Sequence, residues 1–388
     1  MPAHALRAFA SLVALLALSF LLACGNGNQK ACTVSGGTCC TPSSSDACVA
    51  PLFLFATTQG GQLPSYPVDR GTGSLGTPVS TPGPAISLGL ASRGNLFLYA
   101  SDSQNDAVAA FSINGTSGAL IPVPGSPFSL GGIVGEPTGL TMGPGNFFYA
   151  ANINGSVNAF TVGGNGALSQ TPNSPFAAGM TPVGIAFGQS PTSASFLYVT
   201  NSGDLLGTIS GYSVNTTTGD LTPVPGSPSV TSLNSRPLGI LFDGINDTVN
   251  GPYAYVALNQ AGTIAGFSVD PNTGALTPVP GSPFPGVSLP IGLAQFQNFL
   301  LVGNSDQTIS VFTITQATGA LAPVSGSPFF TGTLGSSLAI AGQRLYAPQS
   351  GASGIVALNI NTSTGALTPL TGSPFAAPSA PVLLSGGP

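Results

Sequence analysis

The sequence predicts an all-β fold, a seven-bladed β-propeller with four antiparallel strands per blade, and three observations carry that prediction. The segment 118–128, Gly-Ala-Leu-Ile-Pro-Val-Pro-Gly-Ser-Pro-Phe, returns as 166–176, 219–229, 274–284, 319–329 and 365–375. Its serine falls at Ser126, Ser174, Ser227, Ser282, Ser327 and Ser373, a period of roughly 45–55 residues that marks a repeat architecture. Each period holds four short apolar runs separated by turn residues, and no stretch beyond the N-terminus has a helical period. Second, third and fourth runs occur near 52–80, 96–124, 147–172, 196–225, 253–280, 299–325 and 344–370, one set per blade.

The elements of one period explain themselves in order. The first run opens on proline, at Pro137, Pro182, Pro237 and Pro290; proline donates nothing to a ladder and suits a strand start. First runs fall near 85–90, 138–142, 183–187, 238–242, 291–296 and 338–341, one fewer than the other sets. Residues 381–385 at the C-terminus supply the missing run, completing blade one and removing the open edges. The second run ends near Asn152, Asn201, Asn259 or Asn304, and Gly155, Gly207 and Gly262 lead into the third; Asn and Gly tolerate the positive φ of tight hairpins. The third run alternates, as in Thr208–Val214, and Thr-Gly pairs such as Thr218-Gly219 and Thr273-Gly274 join it to the fourth. The Phe of Ser-Pro-Phe, replaced once by Ser229, is expected to fill the space between neighbouring sheets.

Three segments follow. Residues 1–23 have the pattern of an export signal: Arg7, then an uncharged apolar stretch of about sixteen residues, short of the roughly 20 that a membrane span needs. Leu21-Leu22-Ala23-Cys24 resembles a lipobox, which implies cleavage before Cys24 and lipidation of it; an ordinary signal peptide is the alternative. Gly25 after the cysteine favours the outer membrane or cell surface over inner-membrane retention, facing the periplasm or the exterior. Residues 24–50 form a Cys-rich linker in which Cys32, Cys39, Cys40 and Cys48 are an even set, expected to form two disulfides with three pairings open on paper. A four-cysteine zinc site is the sharper alternative, but the spacing lacks Cys-x-x-Cys knuckles. Residues 51–388 are the propeller.

Only 4% of the chain is charged, with a formal net charge of −5. Nucleic acid has no basic footprint to bind, and the surface is built of Gly, Ser, Thr, Asn and Gln. The one histidine, His4, lies in the signal, so the mature chain lacks an imidazole; Ser-His-Asp and Cys-His chemistry are excluded, and the pattern calls for no cofactor. Glu136 and Arg236 are the site candidates. Each precedes the proline of a first run, in blades three and five, where both reach the channel mouth and can grip a polar ligand or a lactone. The plainer alternative is two charged residues on solvated loops. Asp102 and Asp106, and the turns at 201–204, 304–306 and 243–247, offer oxygens to calcium, but none completes a calcium-loop pattern, and turns need Asn and Asp for backbone reasons. No metal site is therefore expected.

Tyr198-Val199-Thr200-Asn201, with the Thr-Gly-Ala-Leu-Thr-Pro-Val-Pro-Gly-Ser-Pro-Phe phrase, resembles the YVTN-type and lactonase-like seven-bladed propellers of bacteria over about residues 51–388. The resemblance implies the fold, and it implies lactone hydrolysis for some members, which place acidic, Arg and His residues at the channel mouth. This chain offers no His there. The expectation from sequence is therefore an exported, lipid-anchored, non-enzymatic propeller that binds a protein or glycan partner or other copies of itself; a lactonase acting on a sugar lactone through Glu136 and Arg236 is the alternative. A 6-phosphogluconolactone substrate fits poorly with an exported chain poor in bases.

Overall fold

The computed structural model describes residues 51–386, apart from 132–134, 191, 204–205, 232–234, 244–251, 334–335 and 350–351. The lipobox cysteine, the four linker cysteines and most of the 243–247 turn lie outside these residues.

Seven antiparallel sheets stand around a central axis. Blade 4 is representative. Its innermost strand Pro182–Gln189 pairs with Ser195–Asn201, then Thr208–Val214, then the short outer strand Leu221–Pro223. Blade 1 is the exception in connectivity. Its innermost strand is the C-terminal Pro381–Gly386, which pairs with Leu52–Thr58 and closes the ring, as the missing first run implied.

The third strands alternate in sequence, yet they are buried almost throughout, as are the second strands; Ser195–Asn201 is buried at all seven positions. Adjacent blades cover both faces of each sheet, so polarity of alternate residues does not mark a solvent face here. The core is accordingly split into seven apolar clusters, each shared by two blades. Between blades 4 and 5, for example, Tyr198, Ile209 and Val224 meet Val256, Leu258 and Phe267. The cluster of Leu54, Ala56 and Tyr66 with Tyr346, Ile355 and Leu370 seals blade 7 against blade 1.

The recurrent phrase is the joint between these layers. Gly274, in the turn before the outer strand of blade 5, has φ 74°, and a Cβ there would stand 2.5 Å from the ring of Phe196 in blade 4. Only glycine satisfies both demands. Further on, the motif serine accepts a hydrogen bond from a third-strand amide of its own blade. Ala110 N donates to Ser126 Oγ, Ala159 N to Ser174, Gly211 N to Ser227, Gly266 N to Ser282, Val311 N to Ser327 and Ala357 N to Ser373, all at 2.8–3.0 Å. The Ser-Pro bonds that follow are cis in all six copies. The phenylalanine packs between sheets as expected, at Phe128, Phe176, Phe284, Phe329 and Phe375. It does more than fill space: in five blades the residue at its position begins a two-residue fifth strand on the end of the third, and in blade 5 Phe284 makes a bridge to Ile264. Ser229 pairs in the same way with Ile209, so the backbone and not the ring makes this strand.

Blade 2 departs from expectation at its first strand, which runs Leu90–Arg93 and not 85–90. The amides of Leu88 and Gly89 both donate to Ser101 Oγ at 2.8 Å, beside the backbone bond from Ser101 N to Gly89 O, so a side chain takes part of the ladder's role just before this strand.

Candidate functional site

The inner strands enclose the central channel. A cavity of about 280 Å³ opens among them, lined by Leu88, Leu140, Ile185, Leu293, Leu338 and Leu384 together with their strand neighbours. The inner strands approach so closely because several read Pro-x-Gly. At Gly184 a Cβ would stand 2.3 Å from the carbonyl oxygen of Leu238 in the next blade, so glycine is required there. The hydroxyls in the channel are already engaged. Thr138 Oγ1 donates to the carbonyls of Pro182 and Ala151, Ser336 Oγ to Val382, and Ser337 Oγ to Leu384.

The residue before each inner strand defines the mouth. Pro137 pairs with Asn152, so the inlet to the strand shares one end of the blade with the hairpin after Asn152. At this register stand Ile86, Glu136, Thr181, Arg236, Leu289 and Ala380, in blades 2, 3, 4, 5, 6 and 1. Each gives its carbonyl oxygen to the amide that opens or enters the neighbouring hairpin, as Glu136 does to Ile153 and Arg236 to Asn259. Glu136, Thr181, Arg236 and Leu289 have φ of 39°, 53°, 45° and 48°. The left-handed region is costly for these residue types, and a residue before proline ordinarily lies extended. Because Thr181 and Leu289 share it with the two charged residues, the conformation belongs to the blade inlet and not to one catalytic group.

Glu136 and Arg236 thus occupy the same structural position two blades apart, flanking Thr181. Both side chains are exposed, and neither has a bonded partner among the described residues. Asp106 holds the Glu136 inlet in place: its Oδ1 accepts the amides of Gly135 at 2.8 Å and Glu136 at 2.9 Å. Asp102 accepts both contacts of the Asn105 amide, at 2.9 and 3.1 Å. The two aspartates considered for calcium are therefore occupied by turn and loop hydrogen bonds. Among the described residues no group of three or more His, Cys, Asp or Glu could hold a metal ion.

Sequence reasoning missed a set of buried amides behind the mouth. Asn152 Nδ2 donates to Asn158 Oδ1 and Ser156 Oγ, and Asn201 and Asn304 Nδ2 each bridge two hydroxyls of their third strands. All three asparagines are fully buried. The signal was present in the second-run endings, read there only as hairpin chemistry. A second set binds blade to blade at this end: Ser103 Oγ donates to Pro137 O at 3.0 Å, Ser202 Oγ to Pro237 O, and Asn259 Nδ2 to Pro290 O at 3.1 Å. These bonds fix the inlets that carry Glu136 and Arg236 without consuming either side chain.

A seven-bladed propeller is the class of protein that the fold defines, and comparison with known proteins agrees with it. Residues 154–330 match the family described as lactonase, 7-bladed beta-propeller. No curated protein matches the chain. Among solved structures it is similar to a candidate 6-phosphogluconolactonase from Bacteroides uniformis, with 18% identity and a TM-score of 0.70 over 87% of this chain and 100% of that one. It is also similar to a second such protein from Bacteroides fragilis (19%, 0.67, 89% and 99%) and to the periplasmic gluconolactonase of Pseudomonas aeruginosa (16%, 0.65, 87% and 99%). At these identities the likeness is one of fold, and the resemblance to lactonase-like propellers read from the sequence holds at that level.

Proposed function

We propose that the protein hydrolyses a lactone at the channel mouth, the alternative among the sequence expectations. The observation that supports it is the placement of Glu136 and Arg236: one register position, two blades apart, both exposed and unbonded, on rigidly held inlets. The family match over 154–330, which includes Arg236 but not Glu136, and the gluconolactonase among its structural neighbours favour a lactonase reading. In it the Glu136 carboxylate takes a proton from water as the oxygen attacks the lactone carbonyl. The Arg236 guanidinium steadies the oxyanion that forms. Collapse breaks the ring C–O bond, the proton passes to the leaving alkoxide, and the product carboxylate stays paired with arginine until release. Residues 1–23 would direct export, and residues 24–50 would anchor the propeller through Cys24 at the outer membrane or cell surface. The test is hydrolysis of a neutral sugar lactone by wild type, Glu136→Gln and Arg236→Ala. Loss of about 100-fold or more in each variant, in the range general acid–base and oxyanion groups supply, is expected. Equal rates in all three would remove the proposal.

The non-enzymatic binding reading rests on a different observation: Ile86 and Leu289 stand exposed at the same register as the charged pair. It predicts a tight complex with a protein or glycan and no turnover.

A further inference from the structure

We infer that the site takes a neutral ligand with an aliphatic tail, the polar head held between Glu136 and Arg236 and the tail lying along the apolar collar of the mouth. The inference rests on the location proposed above, and it names the substrate class. Three independent features point to it.

The first is a collar of exposed apolar side chains at the mouth. Ile86 is 47% exposed and Leu88 46%, both at the blade 2 inlet; Met180 (60%) and Leu289 (49%) stand at those of blades 4 and 6. Ile153 and Leu206 project from the hairpins after the second strands of blades 3 and 4. Val230 and Phe330, on the fifth strands of blades 4 and 6, extend the collar outward. These eight are most of the eleven large apolar side chains exposed among the described residues. Apolar residues scattered singly over a surface need no explanation, but their concentration at one end does.

The second is the channel. Leu88 belongs both to the collar and to the cavity lining, so the collar reaches the rim of the channel. The hydroxyls of Thr138, Ser336 and Ser337 are spent on carbonyls, yet the exposed lining of the cavity is more polar than apolar. A polar cavity of this kind holds water, so an apolar tail is better placed on the collar than inside. At about 280 Å³ the cavity has room for a small polar head and not for a drug-sized ligand.

The third is the distribution of charge. Arg236 is the one arginine at the mouth among the described residues. Arg93 ends an inner strand, Arg344 begins a second strand, and Arg70 follows a third, which puts all three at the opposite end of their blades. Asp102, Asp106, Glu136 and Asp306 are all at the mouth end. A phosphorylated or multiply anionic ligand would meet excess negative charge there, whereas a neutral head needs only Glu136 and Arg236.

The experiment compares δ-decalactone with δ-valerolactone, the same ring with and without a pentyl tail, by calorimetric titration of the folded propeller. Hydrolysis is followed separately. Each buried methylene is worth about a factor of four, so the tailed lactone should bind at least tenfold more tightly. Leu88→Asn and Leu289→Asn should weaken decalactone about threefold or more and leave valerolactone unchanged. Both positions are surface-exposed, and asparagine tolerates the left-handed φ of 48° at Leu289, so folding is preserved and a thermal melt verifies it. Equal affinity for the two lactones, or tighter binding of 6-phosphogluconate, overturns the inference. Decalactone bound in this pattern but not turned over upholds the ligand class while removing the hydrolase proposal. A neutral sugar lactone hydrolysed with no tail effect does the reverse.

Discussion

The phenol of Tyr198 in blade 4 donates a hydrogen bond to the carbonyl oxygen of Gly274 in blade 5, at 2.8 Å. The same bond recurs around the ring: Tyr99 to Gly166 at 3.1 Å, Tyr149 to Gly219 at 3.0 Å, Tyr255 to Gly319 at 2.9 Å and Tyr346 to Gly73 at 2.7 Å. The last crosses the closure between blades 7 and 1. Each tyrosine is fully buried, so its hydroxyl must find an acceptor, and the turn glycine of the next blade supplies one. Two interfaces lack the bond, because Phe55 and Leu301 stand at the tyrosine position.

Removing one of these bonds should therefore cost more than a surface contact. Tyr198→Phe strands a buried carbonyl and is expected to lower unfolding stability by about 1–2 kcal/mol. The reverse change is a gain: Phe55→Tyr aims a hydroxyl at Gly118, the blade 2 counterpart of Gly274, and should add roughly 1 kcal/mol. Chemical denaturation of both variants checks the pair. A neutral Tyr198→Phe would mean that the blades are held by packing alone.

The motif serine makes a separate prediction. Ser227 Oγ accepts the amide of Gly211 at 3.0 Å, and that amide has no other partner in the ladder at the point where the outer strand ends. Ser227→Ala should lower stability by about 1 kcal/mol, whereas Ser227→Thr, which keeps the oxygen, should lower it less if the added methyl is accommodated. Ser213 makes a useful control, since its hydroxyl lies on the exposed edge and donates only to the carbonyl of Thr222.

Much of this was legible in the sequence, for an identifiable reason. The blade count and the closing strand follow from the order of short runs, and order along the chain is what a sequence records directly. The ties between Tyr198 and Gly274 were not legible, because they join residues in different periods and depend on how two sheets face each other. Glu136 and Arg236 were readable as equivalent positions from their prolines alone. Their left-handed backbone was not, since a residue before proline reads as extended. The apolar collar was invisible for a related reason: Ile86, Leu88 and Leu289 resemble the leucines and isoleucines of any strand, and only the register at which the inner strands begin leaves them outside.

The titrating groups predict a broad pH plateau with opposite failures at its ends. Burial pushes the phenols of Tyr66, Tyr99 and Tyr346 up to about 12 from 10.0, and those of Tyr149, Tyr198 and Tyr255 higher still. A raised folded value means that the fold favours the neutral phenol, so this stabilisation is complete below about pH 10 and is lost as pH rises through 12. At the acid end, backbone amides of Thr72 and of Thr273 and Asn272 hold Asp69 and Asp270 below 3.8. Their contribution is present above that value and is lost as pH falls through the depressed one. No described histidine titrates between. Thermal melting should be nearly flat from about pH 5 to 9 and fall steeply above pH 10; a transition near pH 6.5 would contradict the assignment.

Charge placement at the mouth leads to a prediction about selectivity and salt. Glu136 and Arg236 cancel locally, but Asp102, Asp106 and Asp306 share their end of the propeller, and the whole chain carries −5. A neutral lactone approaching this end feels no net force, so its kcat/KM should not change with ionic strength. A phosphorylated lactone is repelled, and the repulsion reaches about 30 Å at 0.01 M salt against about 10 Å at 0.1 M. The preference for the neutral substrate should consequently widen as salt is removed and shrink as it is added. Arg236→Ala, by deleting the one described cation at the mouth, should widen it further at low salt. Measuring kcat/KM for both substrates across that salt range decides the point: a phosphorylated substrate favoured at low salt would require a cationic surface at the mouth, which Arg70, Arg93 and Arg344, at the far end of their blades, do not supply.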